Sequence, residues 1–263
     1  MEPYKTNRRY LKFDRLEEWN SHETDQKKGM PPPAPQKPFP RDATLIDLVA
    51  PENLTIGQMP LVEAIRRRRS RREFAEAPLT LEELSFLLWA TQGVDRDATR
   101  AFREWLAGVI GVPAKEITAV LRTVPSAGAC HPFETYLVVN HVDKLAPGLY
   151  RYLSEEHKLL QLQSIAATVE KARGAFVQWL EKSAVVFVWA TIPYRTEWRY
   201  SILAHKMIAQ EIGHVCQNLY LAGETIGAGV CAVMYDQAAA DALLGVDGED
   251  EFVISVALVG KVT

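Results

Sequence analysis

The chain has 263 residues, 48% of them hydrophobic, with 30 Lys and Arg against 33 Asp and Glu for a net charge of −3. That length holds one large domain or two small ones, and the apolar content excludes wholesale disorder. The acidic balance argues against a general nucleic-acid binder.

Residues 1–60 read differently from the rest. Met30 to Pro40 is proline-dense and is expected to be extended, without a core of its own. It forms an arm that wraps the core or a partner, with Tyr10, Leu11, Phe13, Leu16 and Trp19 as its apolar contacts. From Leu61 the pattern is globular, so 61–263 is expected to be the main domain. A first helix runs through Leu61 to Ile65 into a run of arginines. A second opens on the capping box Thr80-Leu81-Glu82-Glu83 and shows Leu84, Leu87 and Leu88 on one face before Gly93. Residues 133–142 read as a strand, and 149–152 and 158–162 as a hairpin around Ser154-Glu155-Glu156. A helix over 169–180 precedes a buried strand over 184–192. A long helix over about 200–223 follows, then short strands over 230–234 and 252–259. Mixed helices and strands with a hairpin indicate α+β rather than a doubly wound sheet.

The apolar run Ala184 to Ile192 is too short to cross a bilayer, and the first ten residues lack an apolar signal core. Cys130, Cys216 and Cys231 are widely spaced with no C-x-x-C pair, which argues for reduced thiols and a cytoplasmic location. No membrane and no metal are expected.

The most informative segment is Arg66 to Arg72, six arginines and one serine in seven positions. Arginine stays charged and forks onto phosphate oxygens, so the cluster needs water or an anion. It reads as a solvated helix end, a nucleic-acid patch, or a phosphate pocket in which Arg68, Ser70 and Arg72 point inward at period-two spacing. On this segment alone the three readings stand side by side.

Other segments offer chemistry. The chain has neither G-x-G-x-x-G nor G-x-x-x-x-G-K-[ST], so any phosphate binds through side chains or other loops. Val124 to Glu134 is rich in small residues, either a plain turn or a loop that lets backbone approach a flat ligand. Glu211-Ile212-Gly213-His214 has E-x-x-H spacing, but a di-iron bundle needs two such motifs. A polar interface stripe of Glu211, His214, Gln217 and Asn218 is the better reading. Cys130 beside His131 is adjacency in sequence only. Arg195 and Arg199, amid aromatics, are solvent ion-pair partners or line a substrate mouth.

Taken together, the motifs resemble the nitroreductase family of flavin enzymes over about Leu61 to Lys261. Arg68-Arg69-Ser70-Arg71-Arg72-Glu73-Phe74 resembles its R-R-S-x-R-x-F opening. Pro125 to Glu134 resembles its P-S-x-x-x-x-x-P-aromatic loop, and Gln217 to Gly229 its Q-N-L-x-L-A-A-x-x-x-G-x-G helix end. Leu243 to Gly248 and Val259-Gly260-Lys261 follow in order. The P-S-A-G-A loop, the Glu-x-Gly-His helix and the proline-rich arm look most like the SagB-type dehydrogenase branch.

The resemblance implies a nitroreductase-like fold, with a mostly antiparallel central sheet flanked by helices and a long central helix at a dimer interface. It implies FMN as cofactor in a homodimer, with hydride passing through flavin N5 in a ping-pong cycle. Arg68, Arg69, Ser70 and Arg72 would hold phosphate and ribityl oxygens, with Lys261 as a further cation. Pro125, Ser126 and Ala127, with Gly128 in the same loop, would flank the flavin ring from the partner subunit. Val233 and Met234 would lie near N5. Where many nitroreductases carry asparagine and glutamine in the loop, this chain has Ala129 and His131. Where azoline-oxidising members carry a Lys-Tyr pair, it has Arg199-Tyr200, and arginine is a poor base. Tyr200 is the remaining acid/base candidate. The substrate is a small molecule or a peptide, with NAD(P)H as one electron source. A reductase of nitro or quinone compounds and a non-catalytic FMN or phospholigand binder are the alternatives.

Overall fold

The computed structural model describes residues 3–13, 15–164, 172, 175 and 183–262. In chain order the helices are α1 (Pro3–Asn7), α2 (Leu16–Ser21), α3 (Leu61–Arg67), α4 (Leu81–Gln92), α5 (Arg96–Ile110), α6 (Tyr194–Tyr200), α7 (Ala204–Thr225) and α8 (Gln237–Leu244). The strands are β1 (Leu45–Asp47), β2 (Phe133–Val139), β3 (Gly148–Leu153), β4 (Lys158–Ser164), β5 (Val185–Thr191), β6 (Ala228–Val233) and β7 (Phe252–Lys261). They form one seven-stranded sheet in the order β1-β4-β3-β2-β5-β7-β6, and every pairing between these strands is antiparallel.

The two faces of this sheet explain why β5 reads as an apolar run and why β2 is apolar at every position from Tyr136 to Val139. Val185, Phe187 and Trp189 join Leu137 and Val139 under α4 and α7. The intervening Val186, Val188 and Ala190 join Tyr136 and Val138 on the other face, under Leu243 and Leu244 of α8. Side chains alternate across a strand, so a sheet covered on both sides needs apolar residues at every position. The helix expected over 169–180 lies outside the described residues apart from Ala172 and Ala175, both buried against this second face.

The capping box of α4 forms as read. Thr80 Oγ1 accepts from Glu83 N at 3.1 Å, and Thr80 N donates to Glu83 Oε2 at 2.9 Å. The hairpin also forms, as β3 and β4. Six elements escaped the sequence reading: α1, α2, β1, α5, α6 and α8. The long helix forms as α7, and Ser201 at φ 45°, ψ −125° separates it from the preceding α6 through a short 3-10 turn. The polar stripe expected on α7 divides. Glu211 is buried and Asn218 donates to Ala90 O at 2.8 Å, whereas His214 and Gln217 face outward.

The proline-rich segment lies on the core of its own chain. Arg122 donates to Pro35 O at 3.1 Å, and Arg151 to Lys37 O and Pro38 O at 3.1 and 3.0 Å. Lys37 N donates to Glu134 at 2.8 Å, and the Lys37 ammonium meets Glu251. Of the apolar residues singled out in the arm, Trp19 is half-buried and the Lys206 ammonium lies 3.9 Å from the Phe13 ring centroid, while Tyr10, Leu11 and Leu16 are exposed. Backbone carbonyls of the proline stretch make the attachment to Arg122 and Arg151.

Candidate functional site

Two clusters gather the residues singled out in the sequence. The first begins where α3 ends. The chain leaves the helix extended and runs beside the edge strand β6, with Ser70 bridging Val230 in parallel and Arg71 N donating to Val230 O at 3.0 Å. Extended backbone turns alternate side chains to opposite sides, and the arginines sort accordingly. Arg71 reaches Glu224 through Nε at 3.3 Å and Nη2 at 3.2 Å, and the same carboxylate accepts from Arg69 N at 3.4 Å. Arg67 Nε stands 3.9 Å from its other oxygen. On the opposite side, Arg68 lies over the Tyr220 ring, 5.5 Å from its centroid, and Ser70 Oγ is 3.2 Å from Tyr220 Oη. Gly229 permits this approach, since a Cβ there would meet Arg71 Cβ at 2.9 Å.

Charge bookkeeping separates these arginines. Glu224 compensates Arg71 and assists Arg67, and the Arg69 guanidinium folds back on the carbonyls of Arg66 and Arg68. Among the described residues, no ion pair engages Arg68 or Arg72. Exposed Ser70 and Arg72 line a groove with Arg69, Arg71, Glu73 and Val262, while half-buried Arg68 stays over the Tyr220 ring, its charge uncompensated like that of Arg72. Lys261, expected as a further phosphate cation, is engaged elsewhere. Its ammonium meets Glu83 of the capping box and lies 3.5 Å from Ile226 O. Val233 is half-buried at the end of β6, and Met234 just beyond it is 84% exposed.

The second cluster is the small-residue loop. Glu211 of α7 holds it by both oxygens, accepting from Ser126 Oγ at 2.7 Å and Ala127 N at 2.8 Å. His131 N in turn donates to Ser126 Oγ at 2.9 Å. Burial raises the Glu211 carboxyl above its ordinary range, while these two donors oppose the shift. Gly128, Ala129 and His131 have φ of 60°, 53° and 45°. Two non-glycine residues in left-handed backbone within one loop is strain that anchoring must offset. Arg199 supplies some of that anchoring, with Nη1 donating to Gly128 O at 3.0 Å and Nε to Gln26 at 2.9 Å. Burial pushes the Tyr200 hydroxyl above its ordinary value, so it stays protonated. It also pushes the Cys130 thiol up to about 11, which removes Cys130 as a ready nucleophile. A cavity of about 290 Å³ opens beside this loop, walled by Pro32, Phe102, Leu106, Ile117 and Trp198 with Arg199 at its edge.

Arg195 lines the same cavity as Arg199. It is buried and paired with Glu134 at 2.5 Å. The Glu211/His214 spacing gathers no metal set, and among the described residues no group of three metal-ligating side chains forms. No helix among them is long and apolar enough to cross a membrane.

The loop grips Glu211, while the arginine segment grips Tyr220 and Glu224. Nine residues of helix separate Glu211 from Tyr220, about 13 Å along the axis, so one chain presents the two clusters at different levels of α7. Sequence reading passed over Tyr220 and Glu224, yet a signal existed. An acid in the last turn of a helix opposes the macrodipole, and one helical turn back stands Tyr220. Such an acid needs a cation, and the arginine run supplies it.

Gly128 gives this arrangement a sharp test. A Cβ there would stand 2.5 Å from Arg199 Nη1 and 2.9 Å from Tyr200 Oη. Gly128→Ala is expected to cost about 1–2 kcal/mol of stability through its left-handed φ and to displace Arg199 and Tyr200. A crystal structure of the variant with both side chains unmoved would contradict the expectation.

The chain matches the family model described as "Nitroreductase family" over residues 65–261. It is 32% identical over 179 residues to a Methanocaldococcus jannaschii protein named "Putative nitroreductase MJ1384", an alignment covering 68% of this chain and 80% of the relative. Its fold is similar to the crystal structure of a "putative nitroreductase" from Ralstonia eutropha JMP134. There the TM-score is 0.64 and the identity 23%, with 87% of this chain and 96% of the other covered. It is also similar to a chain of the Escherichia coli microcin synthetase McbBCD complex with truncated pro-MccB17 bound, with a TM-score of 0.58 and 17% identity, covering 96% and 82%. The family match spans about three quarters of the sequence and contains both clusters: this chain belongs to the nitroreductase family.

Proposed function

We propose that the chain is an FMN-dependent oxidoreductase acting as a homodimer, with the phosphate of FMN held by Arg68, Ser70 and Arg72. The observation that carries this reading is the pair of uncompensated guanidinium groups flanking an exposed hydroxyl, in a family for which a flavin is the expected cofactor. The residues fit a phosphate monoester: Arg72 and the Ser70 hydroxyl line one groove, and the Arg68 guanidinium lies over the Tyr220 ring whose hydroxyl is next to Ser70. Lys261 does not contribute while it is paired with Glu83.

When bound, FMN supplies reversible hydride transfer, and the protein supplies binding, orientation and proton handling. Pro125, Ser126, Ala127 and Gly128 form the wall for the flavin ring, held by Glu211 and Arg199. A second copy would present this wall to the arginine groove. Leu61, Val62 and Ile65, exposed beside that groove on α3, form the apolar surface such a copy would cover. Tyr200, a phenol that is protonated at neutral pH, is the acid/base candidate beside the loop, and Arg199 positions that loop.

The motif resemblance favours a SagB-type dehydrogenase acting on a peptide or natural-product ring. The protonated Tyr200 favours a second reading, reduction of a small nitro, quinone or enone acceptor at the expense of NAD(P)H. The deciding experiment is the visible spectrum of the purified protein, with the bound chromophore released and identified, followed by NAD(P)H oxidation with and without acceptors. A flavin spectrum with FMN released is expected. Turnover of NAD(P)H selects the reductase, and flavin reduced by substrate alone selects the dehydrogenase. Bound FMN that neither NAD(P)H nor a substrate reduces would indicate a non-catalytic binder. A colourless protein that fails to take up FMN would overturn the proposal.

A further inference from the structure

Tyr220 lies in the x position of the Q-N-L-x-L motif and has been given no role so far. It is a buried side chain on α7 whose hydroxyl and ring are both engaged. Tyr220 Oη accepts from the backbone N–H of Ala232 on β6 at 2.8 Å. The same oxygen lies 3.2 Å from Ser70 Oγ. On the ring face, 5.5 Å from its centroid, lies the Arg68 guanidinium.

The direction of the first bond constrains the second. Amide nitrogen can only donate, so Tyr220 Oη accepts from Ala232 and retains its own proton. If Tyr220 gives that proton to Ser70 Oγ, the serine hydrogen is released to point away from the protein. The sequence Ala232 N–H, Tyr220 O–H, Ser70 O–H then runs in one direction and ends in a donor aimed into the groove. Each donor in such a chain polarises the next and strengthens the terminal one toward a negative charge. The ring meanwhile holds Arg68 by cation–π attraction, so the arginine keeps its charge without an acidic partner that would compete with an incoming anion. A carboxylate in the place of Tyr220 would order Arg68 but cancel its charge.

We infer that Tyr220 is a positioning residue for the phosphate end of the ligand, presetting Ser70 as a donor and Arg68 as a free cation. This rests on the FMN reading above, and it assigns Tyr220 to recognition of the phosphate monoester rather than of the flavin ring. The ring has no anionic group to receive the terminal donor, so the effect must appear in discrimination between FMN and riboflavin.

The test compares dissociation constants of FMN and riboflavin, by quenching of flavin fluorescence, for flavin-stripped wild type, Tyr220→Phe, Ser70→Ala and the double variant. Far-UV circular dichroism and thermal melting of the stripped proteins check folding. Tyr220→Phe keeps the ring under Arg68 and loses only the hydroxyl. It is expected to weaken FMN by about tenfold while leaving riboflavin unchanged. The losses should be non-additive, with the double variant no weaker than Ser70→Ala by more than about twofold. Full additivity, or equal weakening of both flavins, would reduce Tyr220 to a packing residue and overturn the inference. Should Tyr220→Phe fail to fold, an FMN preference over riboflavin in Ser70→Ala equal to that of wild type overturns it, because the chain of donors then has no end. Failure of the underlying reading looks different: wild type itself would show no preference for FMN.

Discussion

Glu134→Ala is expected to destabilise the protein by about 3–5 kcal/mol, the cost of leaving a buried cation unpaired. Glu134 and Arg195 have side chains only 4% and 3% exposed, and they meet at 2.5 Å. Glu134 also accepts from Lys37 N at 2.8 Å, so the same carboxylate tethers the proline-rich segment. A third group depends on it. Arg122 is half-buried, and desolvation pulls its guanidinium down to about 10, while the negative charge of Glu134 pulls it back. Removing Glu134 therefore strands Arg195, takes a favourable charge from near Arg122 and releases one anchor of the arm. For a chain of this size the loss corresponds to roughly 6–20 °C in Tm. Replacing both partners by apolar residues, Glu134→Leu with Arg195→Met, should recover much of it, because no charge is then left without a partner. The exposed pair Arg100–Asp97, at 69% and 86%, supplies the control. Deleting Asp97 should cost well under about 1 kcal/mol. Thermal and urea unfolding of the variants decide the matter, and equal shifts for Glu134→Ala and Asp97→Ala would refute the argument.

Arg68→Ala combined with Arg72→Ala is expected to remove FMN from the purified protein. Hydrogen bonds to charged groups contribute about 1.5–3 kcal/mol each. Loss of both guanidinium groups therefore weakens FMN by roughly 10²–10⁴-fold, enough to strip it during purification. Riboflavin, which lacks the phosphate, should bind the variant and the wild type alike. Arg69→Ala is the informative comparison, because its guanidinium borders the groove but is engaged by the carbonyls of Arg66 and Arg68. It should change occupancy little. Chromophore-to-protein ratios from absorbance measure all three. If the double variant retained full FMN, the phosphate would have to lie elsewhere on the chain.

Arg69 also marks where the sequence stops being informative. An R-R-S-x-R pattern names a cluster and, through period-two spacing, the set Arg68, Ser70 and Arg72. Whether each guanidinium is free depends on residues far along the chain. Glu224, about 150 positions away, neutralises Arg71, and Glu83 captures Lys261 from 178 positions away. Neither pairing leaves a local signature. α5 was missed for a related reason. Its Trp105, Val109 and Ile110 are exposed, so its apolar stripe is not simply the side buried against the core.

What the chain determined locally is considerable. The apolar run over β5 requires a sheet covered on both faces, Thr80 and Glu83 require a helix start, and the order of five short motifs indicates the nitroreductase family. These features depend on backbone preference, on burial and on spacing, all of which are carried by neighbouring residues. Tertiary structure alone decided that Ser201 separates α6 from α7, that Glu134 and Arg195 form a buried pair, and that Tyr220 joins Ser70 to Ala232. Each requires segments far apart in sequence to meet within hydrogen-bond distance. That meeting is set by how helices seat on the sheet, because a buried polar group must find its partner wherever the packing places one.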